Sequence, residues 1–244
     1  TDAKSGTATI LVKQKTGERA VFFERATATE PEFLEVHKQL IESAYILHIN
    51  GRHRKLMRSA IAVAKEVGTI ISLDGGAQRY DEDMKPITEA SHIVIVARGY
   101  AEKYTGTTNL EDACRIIHER GAFIAGVTDG ANGSYFVWPD GTSYRCEPFS
   151  QATVVDTTGA GDSFHGAFLY MLTKTLCKIA DGTNTSTMNE TSQSLNAIDL
   201  LHSCAHEDLE KAATFASAVA ALNTQGIGGR SPLPSLEDIK ALIG

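Results

Sequence analysis

The residues best suited to chemistry are an aspartate, Asp162, and the three small residues before it, Gly159, Ala160 and Gly161. Small residues let a backbone turn tightly and approach a ligand closely. Apolar residues then recur at helical spacing, which predicts that a helix begins here; they are Phe164, Phe168, Met171, Leu172 and Leu176. The first amides of a helix lack internal partners and lie at the positive end of its dipole, so they suit phosphate. A carboxylate beside them can accept a proton from a hydroxyl group that attacks a phosphoryl group.

Asp162 has a second interpretation, because an aspartate at a helix start often serves only as a cap, worth about 1 kcal/mol. The order of the neighbouring residues favours catalysis. Residues 156–164 read Asp-Thr-Thr-Gly-Ala-Gly-Asp-Ser-Phe, and this run resembles the second signature of the ribokinase-like (PfkB) carbohydrate kinases. The resemblance implies that Asp162 is the general base and that the Gly159-Ala160-Gly161 backbone forms the anion hole.

The same resemblance implies that Asp156 and Thr158 bind a monovalent cation such as K⁺. Carboxylate and carbonyl oxygens in a tight loop suit a hard cation. The alternative, which the sequence leaves equally open, is that Asp156 only accepts hydrogen bonds from amides of its own loop.

Two further segments resemble the nucleotide-binding parts of this family. Thr128, Asp129, Gly130 and Gly133 follow a predicted strand and match a Thr-x-Gly-x-x-Gly loop that contacts nucleotide phosphates, although a turn with glycines is more often only a turn. Ser217 matches a position near the base. The resemblance therefore implies ATP and Mg²⁺, and the transfer of the γ-phosphoryl group to a hydroxyl of a small sugar.

The chain departs from the family pattern in two places. Many members carry Asn-x-x-Glu where this chain has Ala97-Arg98-Gly99-Tyr100, so the Mg²⁺ arrangement is open. The resemblance covers residues 7–243 and corresponds to the last two thirds of a typical member, without the Gly-Gly-x-x-Asn signature that binds the sugar. Two other functions therefore stay open, a nucleoside kinase, which shares the signature, and a non-catalytic nucleotide-binding fragment.

His165 lies three residues after Asp162, a spacing that places both on one face of the helix. A second acid or base at this position is an attractive idea. We interpret His165 instead as a residue that packs the helix, which is the commoner role for such a histidine.

Composition limits the kinds of partner. The 244 residues carry a formal net charge of −7, which argues against nucleic acid or an anionic membrane as the main partner. The sequence shows neither an apolar run of membrane-spanning length nor a signal peptide. Its four cysteines have no C-x-x-C spacing, which is typical of reduced thiols in the cytoplasm.

Strands that alternate with helices predict an α/β protein, a three-layer sandwich around a mostly parallel sheet; the resemblance specifies the ribokinase-like version. We expect residues 1–27 to hold the remaining strands of a β-lid, whose exposed edges would permit a homodimer, and residues 28–244 to form the nucleotide-binding core. A helix is predicted from Thr29 to Ser43, with Pro31 in its first turn. The low-complexity stretch 181–197 is interpreted as a mobile insertion.

Overall fold

A six-stranded sheet forms the centre of the protein in a computed structural model that describes residues 2–13, 19–150, 153–186, 196–231 and 233–244. The strands are β1 (Thr7–Val12), β2 (Arg19–Glu24), β3 (Ile46–Ile49), β4 (Ile70–Gly75), β5 (Ile93–Ala97), β6 (Ile124–Thr128), β7 (Ser134–Val137) and β8 (Ser143–Cys146). The helices are α1 (Glu35–Glu42), α2 (Arg54–Val67), α3 (Lys85–Glu89), α4 (Arg98–Thr105), α5 (Leu110–Glu119), α6 (Ala160–Ser186), α7 (Ala197–His202), α8 (His206–Asn223) and α9 (Leu236–Ile243).

The central sheet has the order β3-β4-β5-β6-β7-β8. Strands β3 to β6 are parallel, and β7 and β8 are antiparallel to their neighbours. Because the parallel strands are joined by helices, their carboxyl ends all lie at one edge of the sheet, which is where such sheets bind ligands.

Side chains that alternate along the strands fill two separate cores. Ile71, Leu73 and Val94 pack with α1 to α5 on one face, whereas Ile70 and Ile93 pack with α6 to α9 on the other. Successive residues of a strand point to opposite faces, so two buried faces require near-continuous apolar strands. The result is the three-layer sandwich predicted from the sequence.

Small residues bring α6 and α8 together over the second face of the sheet. On α8, Ala212, Ala213, Ala216 and Ala218 are buried, and they let the two helix axes approach closely. The end of α6 also corrects a prediction. Residues 181–186 continue this helix instead of starting an insertion, and α7 includes Ala197; residues 187–195 lie outside the described residues.

Strands β1 and β2 pair with each other in an antiparallel sheet of their own. Their apolar side chains are largely exposed, notably Leu11, Val21, Phe22 and Phe23. The turn that would join the strands lies outside the described residues. This hairpin precedes the helices and strands of the layered core; the division at residue 27 stays a prediction.

The first predicted helix starts later than its sequence signals suggest. It begins at Glu35, after Leu34 as N-cap, so Pro31 lies before the helix and not in its first turn. A tertiary contact accounts for part of this difference, since the Glu30 carboxylate accepts a hydrogen bond from the Lys55 amide at 3.2 Å. That contact holds the segment against the start of α2.

Candidate active site

The site lies where the carboxyl ends of β4 and β6 meet the start of α6. We call residues 156–162 the α6 turn and residues 128–133 the β6 loop. The β6 loop follows β6 directly, and the α6 turn leads into α6. Both segments thus lie at the ligand-binding edge of the sheet, as their positions in the sequence predict.

Asp156 holds the α6 turn together from within. Its side chain is buried, and its two oxygens accept hydrogen bonds from the amides of Thr158, at 2.8 Å, and Gly228, at 2.9 Å. Hydrogen bonds to a carboxylate are stronger than those between neutral groups. The second interpretation of Asp156 is therefore visible in the structure, since this residue ties its own loop to the loop that follows α8.

Gly159 occupies a position that only glycine fits. Its φ angle is +80°, and a Cβ atom there would lie 2.5 Å from the Cα atom of Gly229. A side chain would be strained by the backbone angle and would collide with backbone, which cannot move aside cheaply. The close contact of the two glycines fixes the path of the chain into α6.

The first turn of α6 opens towards solvent. Gly161 and Asp162 are exposed, and no atom lies within 4 Å of the place where a Gly161 side chain would start. The Ser163 amide donates to Gly159, and the Ala160 amide makes a long bond of 3.4 Å to Thr157. Amides at a helix start that lack such partners point outward. The predicted base, Asp162, therefore lies at an exposed helix start beside Gly161, whereas Gly159 is buried and Ala160 is half-buried.

Asn223, at the end of α8, belongs to the site although the sequence analysis did not identify it. It is fully buried, and its Nδ2 atom donates to the Thr158 carbonyl at 3.3 Å. Its Oδ1 atom and the Thr158 hydroxyl are buried without a hydrogen-bond partner among the described residues. An amide side chain within an alanine-rich helix is the sequence signal that was available.

These orphaned oxygens provide a test of whether a cation fits the α6 turn. A buried polar atom without a partner is costly, and oxygen atoms are the ligands that hard cations prefer. Thr158 links the two other residues, because its amide donates to the Asp156 carboxylate and its carbonyl accepts from Asn223. This donor set fits a monovalent cation.

The β6 loop is held by side chains at the protein surface. Asp129 accepts hydrogen bonds from Arg98 Nη1, at 2.8 Å, and from Asn132 Nδ2, at 3.0 Å. Arg98 also binds Glu102 at 2.8 Å. A neighbouring cavity of about 470 Å³ is lined in part by Arg98, Asp129 and Asn132. The arginine therefore neutralises a carboxylate of the loop that is predicted to contact phosphate.

Ser217 lies close to the end of the β6 loop. Its hydroxyl donates to the Glu147 carbonyl at 3.4 Å, and a Cβ atom on Gly133 would meet the neighbouring Cys146 carbonyl. Ser217 and Asn223 are six residues apart on α8, about 9 Å along the helix axis. Helix α8 thereby connects Ser217, the position predicted to lie near the nucleotide's base, with the α6 turn.

The position of the family's Asn-x-x-Glu motif offers no ligand for Mg²⁺. Tyr100 is buried, with its hydroxyl 2.6 Å from Thr88 Oγ1, and burial raises the pKa of Tyr100 to about 12. The Ala97 side chain has no atom that could bind a metal ion. In the described parts of the chain, no three His, Cys, Asp or Glu side chains gather at metal-binding distance. A Mg²⁺ ion held by protein ligands alone does not fit this edge.

Next to Asp162 lies a cluster of polar side chains that the sequence analysis did not assemble. We call it the β4 cluster, and it comprises His48, Ser72, Asp74, Arg79 and His165. Asp74 Oδ1 lies 3.4 Å from His165 Nε2, and Asp74 Oδ2 lies 3.7 Å from Arg79 Nη1. His48 Nδ1 is 3.2 Å from the Ser72 hydroxyl, and the rings of His48 and His165 are 5.6 Å apart.

Burial determines the protonation of this cluster. It lowers the pKa of His165 to about 3, and the neighbouring His48 acts in the same direction. It also raises the pKa of Asp74, which Arg79 opposes and the negative charge of Asp162 reinforces. His165 is therefore neutral and packs α6 against β4, in agreement with its interpretation as a packing residue. Its Nδ1 atom has no hydrogen-bond partner among the described residues.

Comparison with known proteins assigns this fold to a class and then the chain to a family. The layered sheet matches the fold of ribokinase-like kinases; a fructokinase from Xylella fastidiosa, solved with bound ATP, aligns with 99% of this chain and 74% of its own at a TM-score of 0.75 and 20% identity. The profile of the "pfkB family carbohydrate kinase" matches residues 1–236. The chain belongs to the pfkB family of carbohydrate kinases.

The curated relatives are similar over most of this chain but are themselves longer. A 5-dehydro-2-deoxygluconokinase of Shouchella clausii is 23% identical in an alignment of 225 positions that covers 86% of this chain and 59% of that protein. A bifunctional ribokinase/ribose-5-phosphate isomerase A of Fructilactobacillus sanfranciscensis is 26% identical in an alignment of 253 positions that covers 100% of this chain and 40% of that protein. The chain thus spans about half the length of these relatives.

None of the helices in the described ranges is long and apolar enough to cross a lipid bilayer. The four cysteines, all within those ranges, form no disulfide.

Proposed function

We propose that this protein transfers the γ-phosphoryl group of ATP to a hydroxyl group of a small sugar. The single observation that supports this most strongly is the exposed start of α6, where Asp162 follows the exposed backbone of Gly161. Phosphoryl transfer depends mainly on positioning and on stabilisation of charge. A helix entrance fixed by Asp156 and Gly159 supplies both.

In this mechanism Asp162 accepts the proton of the acceptor hydroxyl as its oxygen attacks phosphorus. Asp162 is exposed on the first turn of α6, so an acceptor can reach it. The backbone amides of Gly159, Ala160 and Gly161 stabilise the negative charge that grows on the transferred group. Preorganised donors of this kind contribute about 3 to 4 kcal/mol each where they have been measured.

The nucleotide would lie along the line from the α6 turn to Ser217. Thr128, Asp129, Gly130 and Gly133 would contact its phosphates, with Gly161 nearest the γ-phosphate. The ATP bound in the Xylella fastidiosa fructokinase supports this nucleotide. Mg²⁺ that accompanies ATP binds largely through phosphate oxygens and water, which agrees with the lack of protein ligands at Ala97 and Tyr100.

We further propose that Asp156, Thr158 and Asn223 hold a monovalent cation such as K⁺. The two unpartnered oxygens described above carry this proposal. A bound cation would screen the Asp156 carboxylate from the phosphates. Titration with KCl, with choline chloride as the control salt, tests this cation proposal. The melting temperature should rise with K⁺ in the natural protein and should not change in Asn223→Ala.

We also propose that the protein forms a homodimer through β1 and β2. Their exposed apolar side chains, together with free strand edges, support it. Sedimentation velocity tests it, and Phe22→Ser should shift the protein from dimer to monomer. A monomeric natural protein at micromolar concentration would contradict it.

The test of the function is a product assay with the full-length protein, ATP, Mg²⁺ and a panel of sugars and nucleosides, read by mass spectrometry. The proposal expects a sugar monophosphate and ADP in equal amounts. Phosphorylation of nucleosides alone would favour the nucleoside kinase alternative. ATP binding without any phosphorylated product would favour a non-catalytic nucleotide-binding protein.

A further inference from the structure

The histidine at the end of β3 lies on the side of the sheet that faces α6. In the register of the parallel pair, His48 stands opposite Ser72. Side chains two residues apart share a face, so Ser72 and Asp74 point the same way as Ile70, which packs with α6 to α9. This face is apolar in its middle and becomes polar at the carboxyl edge, beside Asp162.

The His48 ring is oriented by the groups beneath it. Its Nδ1 atom is 3.2 Å from the buried Ser72 hydroxyl, and its ring contacts that of His165 at 5.6 Å. His165 is buried, whereas His48 is partly covered by these neighbours and keeps an exposed part of its surface. In the described part of the chain, the Nε2 atom of His48 makes no hydrogen bond. Nε2 is therefore the ring nitrogen that remains for a ligand at this edge of the sheet.

The charged and titratable groups around His48 come from β4, from the loop that follows it and from α6. Asp74, on β4, and Asp162, on α6, both act on the ring electrostatically, and Arg79 and His165 complete its charged and titratable surroundings. Arg79 is engaged by Asp74 and by the Asn50 carbonyl, to which it donates at 2.7 Å. Loss of water around the ring lowers the pKa of His48 despite the two carboxylates.

We infer that His48 contacts the phosphoryl acceptor, with Nε2 bound to an acceptor hydroxyl group beside the one that Asp162 deprotonates. This inference rests on the proposed function and names the acceptor class. A neutral imidazole nitrogen either donates or accepts a hydrogen bond, and a hydroxyl group does both. Because Arg79 is already engaged by Asp74 and by the Asn50 carbonyl, the exposed Asp162 carboxylate would repel a negatively charged acceptor, so the structure favours an uncharged polyhydroxyl compound over a sugar acid.

Imidazole NMR of the full-length protein with ¹³C-labelled histidine tests this contact without relying on turnover. The His48 resonance is assigned from the spectrum of His48→Gln. A saturating sugar from the panel should shift the His48 signal. His92 serves as the internal control, because it also has a lowered pKa through burial but accepts a bond from the Ile71 amide at the opposite edge of the sheet.

Steady-state kinetics supplies the second readout. His48→Leu should raise the KM for the acceptor about tenfold or more, which corresponds to the loss of one good hydrogen bond, and should leave the KM for ATP unchanged. His48→Gln keeps a hydrogen-bond donor and an acceptor, so its KM for the acceptor should lie between that of the natural protein and that of His48→Leu. A neutral sugar should also be preferred over the matching sugar acid at least tenfold.

The outcomes separate this inference from the proposed function. If a sugar is phosphorylated while the His48 signal and the acceptor KM of His48→Leu stay unchanged, the inference is wrong and the function stands. If a sugar shifts the His48 signal but no product forms, the contact stands and the function is wrong. If no sugar binds at all, both are wrong.

Discussion

The α6 turn and the β6 loop lie at the same edge of the sheet and are both predicted to meet phosphate, yet they are built differently. The α6 turn is fixed by buried contacts, with both Asp156 oxygens on backbone amides and Gly159 packed on Gly229. The β6 loop is fixed by Arg98 and Asn132, which are exposed. A rigid turn suits the place where charge develops during reaction, and a surface loop suits adjustable binding.

The largest expected effect belongs to the carboxylate of the α6 turn. Asp162→Asn removes the proposed proton acceptor and keeps the shape of the side chain, so kcat should fall about 10²- to 10⁴-fold. The Kd for ATP, measured by calorimetry, should change by less than about twofold. The matched control is Asp208→Asn, which alters an aspartate in the first turn of α8. Asp162→Asn with kcat within tenfold of the natural protein would remove Asp162 from its role.

The next effect concerns how α6 is held on the sheet. The pKa of His165 in the folded protein is about 3, below its ordinary value of 6.5. Below pH 6.5 the unfolded chain therefore binds a proton that the folded chain excludes. The free energy of unfolding then decreases by roughly 1 kcal/mol for each unit by which the pH is lowered, down to about pH 3. Urea unfolding of the natural protein and of His165→Asn between pH 7 and pH 4 measures this.

The two unfolding curves should converge as the pH is lowered, because His165→Asn has no proton to gain at this position. Curves that run parallel across this pH range would show that His165 is not buried in its neutral form. In that case α6 would be less firmly attached to β4 than the structure indicates.

A pair of glycine substitutions compares the two segments directly. Gly159→Ala and Gly130→Ala both place a side chain at a positive φ angle, which costs roughly 1–2 kcal/mol. Only Gly159→Ala also overlaps backbone, since a Gly130 side chain would meet nothing within 4 Å. Thermal unfolding should therefore show a clearly larger loss for Gly159→Ala. Equal losses would contradict the difference in rigidity.

The smallest effect is expected at Arg98. Arg98→Ala releases Asp129, but exposed ion pairs contribute little, so the KM for ATP should change by less than about threefold. Arg115→Ala, which breaks a similar exposed pair with Glu111, is the control. A loss of kcat in Arg98→Ala comparable to that in Asp162→Asn would mean that Arg98 acts on the transferred phosphoryl group.

The strands and the α6 turn could be predicted because their signals are local. Short apolar runs predict β3 to β6, and the small residues before Asp162 predict the start of α6. The N-cap of α9 is equally local, since the Ser235 hydroxyl accepts a hydrogen bond from the Asp238 amide at 3.2 Å. Each of these features depends on residues that are close in sequence.

The parts that were missed depend on contacts between distant segments. Helix α4 was not predicted, because residues 97–100 were considered only for the absent metal motif and no local signal was recognised in the rest of the helix. Asn223 and the β4 cluster join residues from different elements, such as His48 and His165, and no local pattern connects them. The order of the strands was likewise not derivable, since pairing is decided by the complete core.

The most direct test of the account is a crystal structure of the protein with a non-hydrolysable ATP analogue and its acceptor. The account predicts the terminal phosphate at the amides of the α6 turn. It also predicts an acceptor hydroxyl within about 3.2 Å of the Asp162 carboxylate, the reach required of a general base. A nucleotide bound away from this turn, or an Asp162 side chain directed away from both ligands, would contradict it.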